Sequence, residues 1–321
     1  MKIPVIDLHA DTYAHVVMNE KCDLKKYFHD QCTDFESFRA ITNSSMKKGR
    51  MILSVQSLFI DDRYCHCALH QGLAVLSRIR SEIDRSKMLF LCTEASNLAD
   101  APKDKTGIMI AIEGLEVIEN DPDLLSVFHA LGVRMVAPTW NRPVAYVGSC
   151  LHGYGLTIKG RALLKKMEQL DMIMDISHMS EPGSLEIMEK YRGKVLASHC
   201  NARAVKESSR NLSDSQLSAL HERGGLCGLN YGQCFLNEKI GPSDEYPTGF
   251  HMLYEMIEHI ASRYSIDMLA FGSDHDGCTT GPGLENPEFY PDFADFLKEK
   301  GVSRLDIEKI YFRNFQGFWQ K

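Results

Sequence analysis

No apolar run in the sequence approaches the ~20 residues that a membrane-spanning helix needs. Basic residues are not in excess either: 36 Lys and Arg stand against 43 Asp and Glu, giving a formal net charge of −7. The first shortage argues against a membrane span, and the second against the basic footprint of a nucleic-acid-binding protein. There is no low-complexity stretch, no linker rich in Pro, Gly and Ser, and no internal repeat. With 44% hydrophobic and 25% charged residues, the composition excludes disordered, collagen-like and disulfide-scaffold chains. The opening segment, MKIPVIDLHADTYAH, lacks the apolar core of an export signal, because Asp7, His9 and Asp11 fall where that core would lie. It is expected to be mature protein that begins directly with a strand, in a cytoplasmic chain. The ten cysteines are then expected to be reduced thiols.

What the sequence does contain is a short apolar run followed by an amphipathic stretch, again and again. The candidate strands are Pro4–Thr12, Arg50–Phe59, Thr106–Gly114, Val133–Thr139, Met172–His178, Lys194–Cys200, Gly225–Gly232 and Met268–Gly277. Each is bounded by turn residues and nearly apolar throughout, as in parallel strands buried on both faces. Helix-like segments lie between them, at Ala68–Arg85, Gly160–Leu170, Ser213–Arg223 and Phe250–Tyr264, the third with an N-cap serine and a glycine stop. Eight such units in 321 residues predict a single-domain α/β fold, a (β/α)8 TIM-like barrel spanning 1–321. An open doubly wound sheet is the alternative, but no G-x-G-x-x-G follows the first run.

The chain carries 13 His, and several stand with carboxylates at the C-terminal ends of these runs. The first run ends in His9-Ala10-Asp11, the third in Glu113, the fifth in His178, the sixth in His199 and the last in Asp274-His275-Asp276. In barrels that rim is where active sites lie. Burying ionisable groups costs several kcal/mol unless they are paired or metal-bound, so stability alone does not account for them. Positions i and i+2 of a strand share a face, so His9 and Asp11 can hold one ion. Imidazole and carboxylate together suit Zn²⁺ or a similar transition ion. Glu113 can bridge two ions with its two oxygens, leaving His178 and His199 to hold the second, in a two-metal site. Taken singly, each of these residues also has a plain structural reading; their convergence carries the weight.

Other features are read as structural. Cys65-His66-Cys67-x-x-His70 lacks the spacing of a zinc finger and opens a helix-like segment, so it is expected to be loop and helix surface. Cys200 is expected to point away from the site that His199 faces. Phe315, Phe318 and Trp319 are expected to pack a last helix onto the barrel.

These residues resemble the membrane dipeptidase (renal dipeptidase) family, zinc peptidases of the metallo-dependent hydrolase barrel group. The resemblance runs from Ile6-Asp7-Leu8-His9-Ala10-Asp11 almost to the C-terminus. It includes Ala111–Gly114, the long stretch Gly155–Glu181 ending in DISHMSE, Ala197–Arg203 (ASHCNAR), Ser209-Arg210-Asn211 and Gly272–Gly277 (GSDHDG). It implies two Zn²⁺ or other divalent transition metals, one on His9 and Asp11, one on His178 and His199, with Glu113 bridging. Arg210 matches the residue that binds the substrate's terminal carboxylate, and Asp274 the acid near the metal-bound water. Asp276, read as lying on the same strand face as Asp274, is the lesser candidate for that role.

One departure from the family pattern concerns a His that renal-type members carry just after the fourth strand. This chain reads Val136-Ala137-Pro138-Thr139-Trp140-Asn141, similar to bacterial relatives. Asn141 or His152 is then the candidate to stabilise the oxyanion. The resemblance implies hydrolysis of dipeptides with a free C-terminal carboxylate, including D-configured C-terminal residues, and a homodimer. The partner expected is a small-molecule dipeptide, with neither nucleic acid nor membrane. Hydrolysis of a cyclic amide or an N-acyl amino acid is the nearer alternative, and a metal-binding barrel without catalysis the farther one.

Overall fold

The computed structural model describes residues 1–13, 40–102, 104–237 and 246–321. Nine parallel strands form one sheet: β1 (Val5–Ala10), β2 (Met51–Phe59), β3 (Leu89–Leu91), β4 (Thr106–Glu113), β5 (Val133–Ala137), β6 (Ile173–Asp175), β7 (Val195–Ala197), β8 (Leu226–Leu229) and β9 (Leu269–Phe271). Neighbours run β2-β1-β9-β8-β7-β6-β5-β4, and pairing of β2 with β4 closes them into an eight-stranded barrel. The additional strand, β3, pairs only with the start of β4, from Thr106 to Ile108. Farther along β4, from Ile110, β5 takes over the same edge. Helices alternate with the strands, as the sequence pattern predicts for a single (β/α)8 domain.

Every residue of β4 is buried, which is why its run TGIMIAIE shows no polar alternation. The helices start where the sequence supplies caps. Ser213 and Gln216 form a reciprocal capping box at the head of Asp214–Glu222, and Thr157 accepts a hydrogen bond from the Gly160 N–H at the head of Ile158–Gln169. The third helix of interest, Thr248–Arg263, likewise lies within two residues of its predicted span.

Two differences from the sequence reading have physical causes. Three residues, Leu89-Phe90-Leu91, are too few to show any periodicity, so β3 is not legible as a strand. The apolar runs also extend past the hydrogen-bonded ladders. His178, Asp274 and Asp276 lie beyond strand ends with φ of 65°, 59° and 67°, in the left-handed region rather than extended. Asp274 and Asp276 are therefore not on a common strand face; they stand in a turn after β9.

The core has two apolar layers. The larger lies between barrel and helices. The smaller fills the barrel with Leu53, Val55, Met109, Ala111, Met135, Ile173, Leu196, Leu226 and Ala270, joined by Phe315 and Phe318. The C-terminal helix Asn314–Gln320 thus closes the N-terminal mouth, and Asn314 Nδ2 donates to the Ile266 and Leu269 carbonyls at the start of β9. Phe315 is 1% exposed, so Phe315→Ala should destabilise the fold by about 3–5 kcal/mol, read as a lower urea midpoint at unchanged slope. Among the described residues no helix is long and apolar enough to cross a membrane. Cys65, Cys67, Cys92, Cys150, Cys200, Cys227 and Cys278 are free thiols.

Candidate active site

Inward positions of the barrel change character toward the strands' C-terminal ends. Val55 is followed two residues later by Ser57, Ala111 by Glu113, Ile173 by Asp175, Leu196 by Ser198 and Gly228 by Asn230. Period-two geometry keeps each pair on one face, so the apolar filling gives way to a polar rim. His9, Asp11, Glu113, His178, His199 and Asp274 all converge there, each no more than 8% exposed. Glu113 stands between the imidazoles. Its Oε1 lies 2.9 Å from His178 Nε2 and 3.6 Å from His199 Nε2. Its Oε2 lies 3.6 Å from His9 Nε2 and accepts the Ser57 hydroxyl at 3.1 Å. His9 Nε2 is 3.3 Å from Asp11 Oδ2, as the His-x-Asp spacing predicts.

The arrangement fits a divalent cation. Ligand atoms of His9, Glu113 and His199, and separately of His9, Asp11 and Asp274, lie within 4.8 Å of one another. Both groups contain His9, whose ring stacks on His199 at 3.8 Å; the first crosses the partition that the family resemblance implies, and the second keeps His9 with Asp11. Asp11 Oδ1 is buried without a hydrogen-bond partner. The tautomers point the same way. His178 Nδ1 faces Asn141 Oδ1 at 2.9 Å, and His199 Nδ1 faces Ser198 Oγ at 2.7 Å. With both Nδ1 atoms donating, two Nε2 lone pairs face each other at 3.0 Å beside a carboxylate, an arrangement that a cation resolves.

Charge tells the same story. Burial alone would lower the His9 pKa, but Asp11 and Glu113 together push it up to about 10. Burial holds His178 and His199 well below the ordinary imidazole value, helped by Arg210 and His9, so both rings are neutral. Burial pushes Asp274 up to about 7, with Asp11 and Glu113 adding to it and His9 and Asn230 opposing. Asp274 Oδ2 accepts from Asn230 Nδ2 at 2.9 Å, which leaves Oδ1 facing the site.

Two buried Asp–Ser pairs support this rim with the same geometry. Asp7 on β1 is in register with Phe271, and two residues beyond it Ser273 donates its N–H and hydroxyl to the Asp7 carboxylate, at 2.8 and 2.5 Å. Asp175 on β6 is in register with Leu196, and two residues beyond it Ser198 does the same, at 2.9 and 2.5 Å. Each serine immediately precedes a site residue, Asp274 or His199.

A cavity of about 250 Å³ opens over these groups, walled by Phe59, Trp140 and Phe235 and reached by Asn141 and Arg210. Arg210 is not a surface residue; it is 8% exposed, its guanidinium donating to the His199 carbonyl and the Cys200 thiol and lying 5.7 Å from the Phe235 ring. Cys200 accordingly faces Arg210 and Ser177 rather than the cation site. His152 is exposed, bonded to Ser149, and does not line the cavity, so Asn141 is the candidate of the two that the fold brings to the site. Asp276 lines the cavity edge, but its carboxylate accepts the Thr12 hydroxyl and the Ala40 and Ile41 N–H groups, tying the segment after residue 39 to the rim. The Cys65–Cys67 turn is a 3₁₀ segment leading into the helix Ala68–Arg85.

The sequence profile of the membrane dipeptidase family, peptidase family M19, matches residues 1–321. The chain belongs to the membrane dipeptidase family. A curated relative from Klebsiella pneumoniae, described as an uncharacterised protein of the pqqA 5′ region, is 31% identical over 79% of this chain and 97% of its own. Among solved structures, a dipeptidase of family M19 superposes with a TM-score of 0.87 at 25% identity, covering 100% of this chain and 98% of that one. A metallopeptidase of Rhodobacter sphaeroides, liganded with a phosphinate mimic of L-Ala-D-Ala, also reaches 0.87 at 23% identity, covering 100% and 99%.

As a member of the membrane dipeptidase family the chain is a metallo-dipeptidase with a metal cofactor. Around its candidate ligands, sequence reasoning missed Ser57, Asp7, Asp175, Ser198 and Asn230. One signal was available for four of them. Asp7 stands two residues before His9, Asp175 three before His178, Ser198 one before His199, and Asn230 ends an apolar run, each a polar residue where burial demands a partner.

Proposed function

We propose that this dipeptidase uses two divalent transition cations, zinc or a similar ion, to hydrolyse dipeptides bearing a free C-terminal carboxylate. His9 and Asp11 would hold one and His178 and His199 the other, with Glu113 serving both; its position between all three imidazoles is the observation that carries the reading. Such ions lower the pKa of a bound water toward ~7 and polarise a carbonyl oxygen. Asp274 Oδ1 takes the proton of the attacking water and returns it to the leaving amine, a role suited to a carboxyl pushed up to about 7. Asn230 holds the other oxygen of that carboxyl in place. Asn141, anchored through its carbonyl oxygen to His178, presents its amide N–H₂ toward the substrate carbonyl. Arg210 receives the C-terminal carboxylate, and its burial beside Phe235 strengthens that ion pair relative to water. The L-Ala-D-Ala mimic bound by the Rhodobacter sphaeroides metallopeptidase supports extending the substrates to D-configured C-terminal residues.

The test of carboxylate recognition is Arg210→Gln. Loss of one charge-assisted contact of about 1.5–3 kcal/mol should lower kcat/KM for free dipeptides about 10- to 100-fold. C-terminally amidated dipeptides should be poor substrates of the native enzyme and unaffected by the change. Equal losses for both classes would remove Arg210 from substrate binding.

A further inference from the structure

We propose that Asp175 and Ser198 form a positioning pair that fixes the tautomer of His199 and so keeps its Nε2 open for the cation; this rests on the two-cation reading above. The hydrogen-bond directions follow from counting donors. Asp175 Oδ1 accepts the Ser177 and Ser198 N–H groups at 2.9 Å each, and its Oδ2 accepts the Ser198 hydroxyl at 2.5 Å. Ser198 has one hydroxyl hydrogen, and Asp175 holds it. The Ser198 oxygen can then only accept from His199 Nδ1, at 2.7 Å. Ser177 Oγ, at 3.3 Å, is a second donor to it, because the Ser198 hydrogen is already held by Asp175. The ring hydrogen of His199 is thereby held at Nδ1, and Nε2 faces Glu113 Oε1 as a lone pair. All of these groups are buried, so no water competes for the directions.

The second Asp–Ser pair shows what is particular here. Asp7 and Ser273 repeat the geometry, but Asp274 follows Ser273, and the nearby imidazole, His275, has its Nδ1 4.0 Å from the Asp7 carboxylate rather than on the Ser273 hydroxyl. The tautomer relay is confined to the DIS-H segment and its partner strand.

The expected effects of substitution are inverted relative to size. In Asp175→Asn, the side-chain carbonyl keeps the two N–H bonds, which puts its NH₂ against Ser198 Oγ. That group donates, so the Ser198 hydrogen turns to His199 Nδ1 and the ring hydrogen moves to Nε2, into the cation's place. Ser198→Ala only removes a partner, and a bound cation can still select the right tautomer. The nearly isosteric change should therefore do more harm than the truncation. Zinc dissociation constants measured by competition with a chromophoric chelator should rise toward 100-fold in D175N and nearer 10-fold in S198A, within the range for changes behind a metal ligand. Thermal melts of the apo proteins monitor folding. In zinc-free native protein labelled with ¹⁵N-histidine, NMR should place the His199 hydrogen at Nδ1, a readout that needs no variant to fold. D175N binding zinc as tightly as the native protein, or His199 protonated at Nε2 in the zinc-free native protein, overturns the relay while leaving the two-cation reading standing. A native protein that binds no zinc or other transition ion overturns both.

Discussion

Glu113→Gln is expected to remove bound metal and dipeptide turnover together. Among the described residues, Glu113 is the carboxylate in contact with both halves of the site, Oε1 toward His178 and His199 and Oε2 toward His9. Glutamine keeps the shape but removes the charge, and it must direct an NH₂ group either at the two imidazole lone pairs or at His9 and Ser57. Whichever end it chooses, one cation loses an anionic oxygen and meets two N–H hydrogens. Metal affinity should fall by more than the ~10–100-fold that follows changes one shell further out. Metal per chain after dialysis, and kcat/KM on the same samples, are the measurements. A variant that keeps full metal and the native rate would make the ligand assignment wrong.

Asp274→Asn should separate proton transfer from metal binding. Asp274 lies within ligand reach of His9 and Asp11, so proximity alone allows it to be a ligand. Its Oδ2 is instead occupied by Asn230, and its protonation is poised near neutrality by burial beside Asp11 and Glu113. A proton carrier replaced by an amide should lower kcat by about 10²–10⁴ with most of the metal retained. Asparagine can still pair with Asn230, so the local fold is preserved. Loss of metal in parallel with activity would instead make Asp274 a ligand.

The strands and the site were legible to different depths. Buried parallel strands advertise themselves as apolar runs, and polar residues at their ends stand out against that background, which is why His9, Asp11, Glu113, His178 and His199 could be picked from the sequence. Arg210 could not be read this way. It lies in a loop rich in serine, and only the family resemblance singled it out; the burial that the fold gives it could not be read from the sequence. Asp276 was misplaced because its run was extrapolated as strand, whereas the backbone turns left-handed at Asp274 and again at Asp276. Asp175 and Ser198 were overlooked for a different reason. Their meaning depends on the register between β6 and β7, and no single strand contains it.

The central claim is that two cations bound at Glu113 carry out dipeptide hydrolysis, and metal counting paired with a substrate panel tests it most directly. The panel holds free dipeptides with L- and D-configured C-terminal residues, amidated dipeptides, cyclic amides and N-acyl amino acids. The account predicts about two transition-metal ions per chain, turnover of free dipeptides, and loss of that turnover on chelation with recovery on adding zinc back. No bound metal and no dipeptide turnover, or turnover confined to the cyclic or acylated compounds, would contradict it.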